Sequence, residues 1–163
     1  MRIINTGGTF NKRYDPIKGE LFVPNDNHAI EAILKSLVID IPLQGVIYKD
    51  SLEMDNHDRA LLGQTIMLSD EKTIIIIHGT DTMDLSAAYV SSLALDKVIV
   101  FTGAMIPFSI DPIEATANLS MAIGYAQGAK NGVYIVIQGV MGNFEHVKKN
   151  KSLGRFERGV NVL

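Results

Sequence analysis

A short run of apolar, mostly β-branched residues, Thr73–Ile77, ends abruptly at His78 and is soon followed by the polar side chains of Thr80 and Asp81. Residues on both faces of the run are apolar, which is typical of a central, buried strand of a parallel sheet. From Asp84 onward, apolar residues recur at the spacing of a helix. In open α/β sheets, ligands bind where strands end and helices begin. We therefore expect a ligand site at the end of this strand.

The rest of the chain alternates strand-like and helix-like segments. Strands are predicted at Arg2–Asn5, Leu43–Tyr48, Thr73–Ile77, Val98–Phe101 and Val133–Gln138, and helices at His28–Leu37, His57–Leu68, Asp84–Leu95 and Glu114–Gln127. Asp55 or Asn56 is the predicted cap of the second of these helices, and Asp111-Pro112 is the predicted start of the last. The predicted core face of the third helix comprises Leu85, Ala88, Tyr89 and Leu93. This alternation predicts a three-layer α/β fold, with a mostly parallel sheet and helices on both faces.

The long polar segment Phe10–Asn27 has two interpretations that do not exclude each other. Loops of this length in compact domains are usually functional or mobile, so the segment could be a lid over the site. It could equally be a surface hairpin with Leu21–Val23 as one of its strands.

Composition narrows the function classes. The 163 residues contain no linker-like segment, so we expect a single domain over residues 1–163. The net charge of -3 argues against binding nucleic acid or membrane surfaces by bulk charge. Without cysteine, thiolate catalysis and cysteine-bound zinc are excluded, and the four histidines show no metal-binding spacing. No signal-peptide core is found, so we expect a cytoplasmic protein.

Hydroxyl groups recur where the predicted strands end. Thr9, Ser51 and Thr80 each follow a strand, and Ala104 lies in a further turn of small residues, so we expect all four on one rim of the sheet. A threonine hydroxyl is a poor nucleophile until a base takes its proton. Lysine can act as that base in its neutral form, and Lys149, beyond the last predicted strand, could reach the rim.

The alternative for Lys149 is a solvated loop shared with Lys148 and Lys151. His78 is expected to be a buried histidine with a structural hydrogen bond.

Together, three motifs resemble the bacterial-type L-asparaginases, the asparaginase/glutaminase family that works through threonine. The motifs are T-G-G-T-F at Thr6–Phe10, H-G-T-D-T-M at His78–Met83 and T-G-A-M-I-P at Thr102–Pro107, with Asp50–Met54 and Ala117–Leu119 between and after them. The H-G-T-D-T run is highly specific, and the resemblance extends from about Ile3 to about Lys149. Family chains usually continue into a second, smaller domain, which we expect to be absent here.

The resemblance implies roles for individual residues. Thr9 would be the nucleophile that forms an acyl-enzyme ester, while Thr80, Asp81 and Lys149 would activate Thr80 or the hydrolytic water. Ser51 and Asp81 would hold the α-carboxylate and α-amino group of the substrate.

Further positions around the substrate also follow from the resemblance. The backbone of Thr80 and that around Ala104 would lie near the oxyanion. Leu52 lies in the substrate-binding segment, where many family members carry a small polar residue or glutamine. Tyr14 and Phe22 are two alternative counterparts of the family's lid tyrosine.

The resemblance predicts hydrolysis of L-asparagine, with L-glutamine as a second substrate, and no metal or cofactor. An alternative is a catalytically weak or inactive module that binds asparagine or aspartate. An amidase acting on an amide held by transfer RNA is a third interpretation, against which the net charge argues. The family is oligomeric, and the apolar stretch 160–163 supports a prediction of a homo-oligomer.

Overall fold

A computed structural model describes residues 1–159 and shows a six-stranded sheet with helices on both faces. Numbered along the chain, the strands are β1 (Arg2–Gly7), β2 (Arg13–Asp15), β3 (Glu20–Phe22), β4 (Leu43–Lys49), β5 (Thr73–Ile77), β6 (Val98–Thr102), β7 (Gly132–Ile137), β8 (Val140–Asn143), β9 (Val147–Asn150) and β10 (Arg155–Arg158). The helices are α1 (His28–Leu37), α2 (Asn56–Leu68), α3 (Met83–Ser92) and α4 (Pro112–Gly128). This confirms the predicted α/β fold class.

The strand order of the main sheet is β4-β1-β5-β6-β7-β8. The first five strands run parallel, and β8 pairs antiparallel with β7. From β1 the chain crosses to β4 on one side, and from β4 it crosses to β5 on the other. The direction of winding therefore reverses between β1 and β5, and the crevice beyond their carboxyl ends is the expected ligand position in such sheets.

Side chains of the central strands alternate between two buried layers. Ile74 and Ile76 of β5 pack with α2 and α3, whereas Ile75 and Ile77 pack with α1 and α4. All four isoleucines are fully buried. This burial on both faces is why the sequence of the central strand is an uninterrupted apolar run.

Two helix starts follow the predicted capping chemistry. Asp55 and Asp58 form a reciprocal capping box at the start of α2, in which each side chain accepts from the other's backbone N–H. Asp111 accepts from the backbone N–H of Ile113, with Pro112 in the first turn of α4. These bonds satisfy donors that the first helical turn otherwise leaves unpaired.

The predicted core face of α3 is wrong at Leu85 and Ala88, whereas Tyr89 is half-buried and packs against the core. Leu85 is 55% exposed and Ala88 is also exposed, whereas Met83, Ala87 and the polar Ser86 are buried. The helix is tightly packed through small side chains, so apolar spacing alone misplaces its buried face.

The structure has strands after residue 139 that the sequence pattern does not predict. Lys149, predicted to lie beyond the last strand, is part of β9, which pairs antiparallel with β10. The segment Phe10–Asn27 does contain a hairpin, formed by β2 and β3. Within residues 1–159, no helix is both long and apolar enough to span a membrane. The stretch 160–163, on which the homo-oligomer prediction draws, lies outside the described residues.

Candidate active site

The loops after β1 and β5 touch at two glycines. A Cβ on Gly8 would lie 2.5 Å from Cα of Gly79, so only glycine allows this approach. Gly8 also has φ of 76°, a left-handed conformation that other residues rarely adopt. Thr6 Oγ1 donates to the Ile77 carbonyl at 2.8 Å and joins the two strand ends. Thr9 and Thr80, one residue beyond the glycines, are thereby brought to the same edge of the sheet.

Thr9 begins a 3-10 turn, Thr9–Asn11, and is half-buried. Contacts with Asn5 of β1 and with Asp50 hold this turn. Asn5 Oδ1 accepts from the backbone N–H of Gly7 and from Asn11 Nδ2, and Lys12 forms an ion pair with Asp50.

Ser51 follows the end of β4 and lies against the loop after β5. A Cβ on Gly79 would lie 2.6 Å from Ser51 Oγ, and the Thr82 hydroxyl donates to the Ser51 carbonyl at 2.8 Å. The Ser51 hydroxyl is buried and has no hydrogen-bond partner within residues 1–159. Burial of the neighbouring Asp50 carboxyl opposes ionisation, but the hydrogen bonds from Lys12 and Leu52 outweigh it and hold the Asp50 pKa below its usual value.

Lys149, Thr80 and Asp81 form a hydrogen-bonded cluster. Lys149 Nζ donates to Thr80 Oγ1 and to Asp81 Oδ1, each at 2.8 Å. The Lys149 side chain is only 13% exposed, so this lysine is not part of a solvated loop. The ammonium and carboxylate groups attract each other more strongly in this partly buried site than they would in bulk water.

A cleft of about 310 Å³ opens beside this cluster. Leu52, Leu85 and Phe156 contribute apolar surface, and Asp81, Lys148 and Lys149 contribute charge, besides Thr80, Thr82, Asp84, Val147 and Lys151. Leu52 is 69% exposed at this cleft. The volume is at the lower end of the range for small-molecule sites.

The turn after β6 approaches the same cluster. Thr80 Oγ1 lies 3.3 Å from Met105 Sδ, and a Cβ on Gly103 would lie 2.4 Å from the His78 carbonyl oxygen. Ala104 is fully buried in the core and is not among the residues that line the cleft, so a substrate contact at Ala104 stays a prediction.

Two residues that sequence reasoning missed hold this turn. Glu114 accepts from the backbone N–H groups of Met105 and Ile106, and Asn118 donates to the Gly103 carbonyl at 2.9 Å. Asn118 lies in the A-N-L triplet that marks the family resemblance, which is the available signal. Glu114 carries no such signal.

Tyr14 and Phe22 lie on the β2–β3 hairpin. Tyr14 is paired with Leu21, and Phe22 is paired with Arg13, whose guanidinium lies 6.0 Å from the Phe22 ring centre. Because neighbouring residues of a strand alternate between faces, Tyr14 and Phe22 lie on opposite faces of the hairpin. At most one of them can face the site in this arrangement.

His78 lies directly beneath the cluster and is fully buried. Its Nδ1 lies 2.7 Å from the Gly79 carbonyl, which fixes Nδ1 as the protonated, donating nitrogen. Burial lowers the pKa of His78 to about 4. The ring therefore stays neutral at physiological pH and acts as a fixed donor to the turn that carries Thr80, in line with its predicted structural role.

Asp55, His57 and Asp58 bring potential metal-ligand atoms within 4.8 Å of one another at the start of α2. Asp55 and Asp58 are already engaged in the capping box, and Lys49 forms an ion pair with Asp58 at 2.8 Å. Helix capping explains this grouping, and the absence of a metal cofactor stays a prediction.

Comparison with known proteins gives a consistent set of relatives. The model of the family described as "Asparaginase, N-terminal" matches residues 1–156. A glutamyl-tRNA(Gln) amidotransferase protein of Archaeoglobus fulgidus is 30% identical over 127 residues, which is 75% of this chain and 30% of that protein. The L-asparaginase of Thermococcus kodakarensis is 26% identical over 118 residues, 70% of this chain and 36% of that protein.

Solved structures show the same fold. The thermostable L-asparaginase from Thermococcus kodakarensis superposes with a TM-score of 0.80 at 23% identity, covering 96% of this chain and 50% of its own. The probable cytoplasmic L-asparaginase from Campylobacter jejuni superposes with a TM-score of 0.78 at 25% identity, with coverages of 96% and 52%. The chain thus spans about a third of the two relatives and about half of the two solved chains.

Proposed function

This chain belongs to the asparaginase family, matching its N-terminal domain, and from that premise we propose that it hydrolyses the side-chain amide of L-asparagine to L-aspartate and ammonia. The observation that carries the proposal is the bonding of Lys149 to both Thr80 and Asp81 at the switch point of the sheet, beside the loop that holds Thr9. A hydroxyl, a carboxylate and a lysine assembled from distant parts of the chain form an acid–base unit.

In the proposed mechanism, Thr9 Oγ1 attacks the amide carbon while its proton passes to a base. The C–N bond then breaks, nitrogen leaves as ammonia after gaining a proton, and the acyl group stays on Thr9 as an ester. Water attacks this ester, releases the carboxylate and restores the threonine. Once Lys149 has lost a proton to solvent, its neutral amine accepts a proton from Thr80 or from this water, and Asp81 stabilises the lysine when it is protonated again.

The proposed substrate contacts are those that the family resemblance implies. Asp81 supplies the negative charge that an α-ammonium group needs, and Ser51 is assigned to the α-carboxylate. Because Glu114 occupies the N–H of Met105, the backbone N–H of Thr80 is assigned to the oxyanion. A preorganised donor at that position is worth about 3 kcal/mol of barrier. Leu52 borders the bound amino acid in place of a polar contact.

The test is ammonia release from L-asparagine and L-glutamine. We expect activity in the wild type, and a loss on the order of 100-fold or more in Thr9→Ala and in Lys149→Met. Thr65→Ala and Lys130→Met are matched controls, because Thr65 lies on α2, Lys130 is exposed after α4, and neither lines the cleft. Equal rates in the wild type and Thr9→Ala would remove Thr9 from the mechanism.

A second candidate is an asparagine- or aspartate-binding module without turnover, favoured by the exposure of Leu52 at the cleft. Calorimetric binding of L-aspartate at micromolar concentration, with no ammonia release, would establish it instead. Because one relative is a glutamyl-tRNA(Gln) amidotransferase protein, an amide attached to transfer RNA is a further substrate to test in the same assay. A cytoplasmic location and a homo-oligomer stay predictions.

A further inference from the structure

Gln138 adopts a backbone conformation that glycine would adopt more easily. It directly follows β7 and has φ of 52°, in the left-handed region that is unfavourable for a residue with a Cβ. The next residue, Gly139, is also left-handed, with φ of 78°. A residue other than glycine at such a position has to be explained by the contacts that its side chain makes.

Both ends of the Gln138 amide are in use. Its Oε1 accepts from the backbone N–H of Phe156 at 2.9 Å, and its Nε2 donates to Glu114 Oε1 at 3.1 Å. Its backbone N–H donates to Asn118 Oδ1 at 2.8 Å. Gln138 thus joins the C-terminal hairpin to the first half of α4.

The two side-chain contacts of Gln138 lead to the candidate active site. Phe156 on β10 stands directly opposite Lys149 on β9. Glu114, on the other side of the bridge, fixes the backbone N–H of Met105, whose sulfur lies 3.3 Å from Thr80 Oγ1. One amide therefore connects the strand pair that carries the lysine to the turn that contacts the threonine.

We propose that Gln138 is a positioning residue that sets the placement of Lys149 relative to Thr80. This inference rests on the proposed function, in which Lys149 is the proton acceptor. The two chemically most similar side chains, glutamate and asparagine, would not bridge Phe156 and Glu114 as well as glutamine does. Glutamate would place a second carboxylate beside Glu114, and asparagine is one methylene shorter.

The experiment compares Gln138→Gly with Ala94→Gly. Both substitutions relieve a left-handed backbone, since Ala94 has φ of 49°, but Ala94 is exposed and remote from the bridge. We expect Gln138→Gly to lower kcat on the order of 100-fold, because small misplacements of catalytic groups are that costly, while KM for asparagine stays within about twofold. Ala94→Gly should retain wild-type kcat. Wild-type kcat in Gln138→Gly would overturn the inference.

Two readouts do not need turnover. Hydrogen exchange should accelerate at the amides of Phe156, Met105 and Ile106 in Gln138→Gly but not in Ala94→Gly. The acetylation rate of Lys149 with acetic anhydride, measured against the exposed Lys72 as an internal reference, should rise as the lysine is released. Unchanged exchange and acetylation would overturn the inference even in a protein with no activity.

The outcomes separate the two proposals. A wild type that releases no ammonia contradicts the proposed function, whereas the exchange and acetylation measurements still decide the role of Gln138. If Gln138→Gly does not fold, Gln138→Asn is the replacement, because asparagine tolerates left-handed conformations and its amide is too short for the bridge.

Discussion

At the scale of single residues, His78 shows how a titratable group can serve as a structural one. It is fully buried, its Nδ1 is committed to the Gly79 carbonyl, and its Nε2 has no partner within residues 1–159. Burial disfavours a charge on this ring, and the neighbouring Arg59 opposes it further. The neutral ring therefore stabilises the turn before Thr80 only while the pH is well above its folded pKa.

This predicts a stability loss in mild acid. The folded pKa of about 4 lies below the ordinary value of 6.5, so the unfolded chain binds more protons between these values and stability falls as the pH falls. We expect this one group to reduce the free energy of unfolding by about 2 kcal/mol between pH 7 and pH 5. Urea unfolding at a series of pH values measures it.

The control for this prediction uses a second histidine of the chain, His28. His78→Asn should flatten the dependence between about pH 5 and 6.5, and replacing the exposed His28 by asparagine controls for the loss of an imidazole. The hydrogen bonds from Arg2 and Ser69 lower the pKa of Glu71 to about 2, so its contribution is lost at lower pH and does not overlap this window. An unchanged slope in His78→Asn would contradict the assignment.

The sequence predicts some of the important residues and misses others. Thr9, Ser51 and Thr80 can be placed on one rim because each follows a strand-like run, and the structure brings their loops into contact. Lys149 can be selected over Lys148 only through the family resemblance. Gln138 is missed, because its role depends on a backbone conformation and on contacts to two distant segments.

At the scale of elements, the turn after β1 depends on Gly8 for two separate reasons. Its positive φ disfavours any side chain, and a Cβ would come within 2.5 Å of the Gly79 backbone. The hairpin glycine Gly19 shares only the first reason, because its φ is 72° and nothing lies within 4 Å of an added Cβ. Substitutions at the two positions therefore separate the cost of backbone strain from the cost of the close approach between the loops.

We predict that Gly19→Ala costs about 1 kcal/mol of unfolding free energy, which is the conformational cost alone. Gly8→Ala should cost about 3 kcal/mol or more, because the β1 and β5 loops must separate. It should also abolish ammonia release by displacing Thr9 from Thr80. Urea unfolding and the ammonia assay measure both effects, and similar losses in the two variants would contradict the close-approach argument.

Element prediction from sequence succeeds where one physical signal dominates. The apolar run of β5 and the helix α1 are predicted with the bounds that the structure shows. The hairpin β9–β10 is missed, because Val147–Asn150 and Arg155–Arg158 are mostly polar and lack alternation. Its position is set by tertiary contacts such as Phe156 with Gln138, which no local pattern reports.

At the scale of the whole molecule, the cleft of the candidate site carries exposed apolar side chains that association between chains would cover. Leu52 and Leu85 are 69% and 55% exposed at the cleft beside Asp81, and a small amino acid would cover little of that apolar surface. Exposed apolar surface next to a polar site is a feature of interfaces between chains. The predicted homo-oligomer would cover it and exclude water from the reacting groups.

We therefore predict that the protein sediments as an oligomer at micromolar concentration, and that ammonia release per chain rises over the same concentration range. A site completed by a second copy is active only when the copies associate, so the two curves should coincide, with the midpoint set by the dissociation constant. Leu52→Ser and Leu85→Ser should shift both midpoints to higher concentration, whereas Met67→Ser, an exposed apolar residue on α2, is the matched control. A monomer with constant activity per chain would show that the site functions without a second copy, and the leucines would then act on the substrate alone.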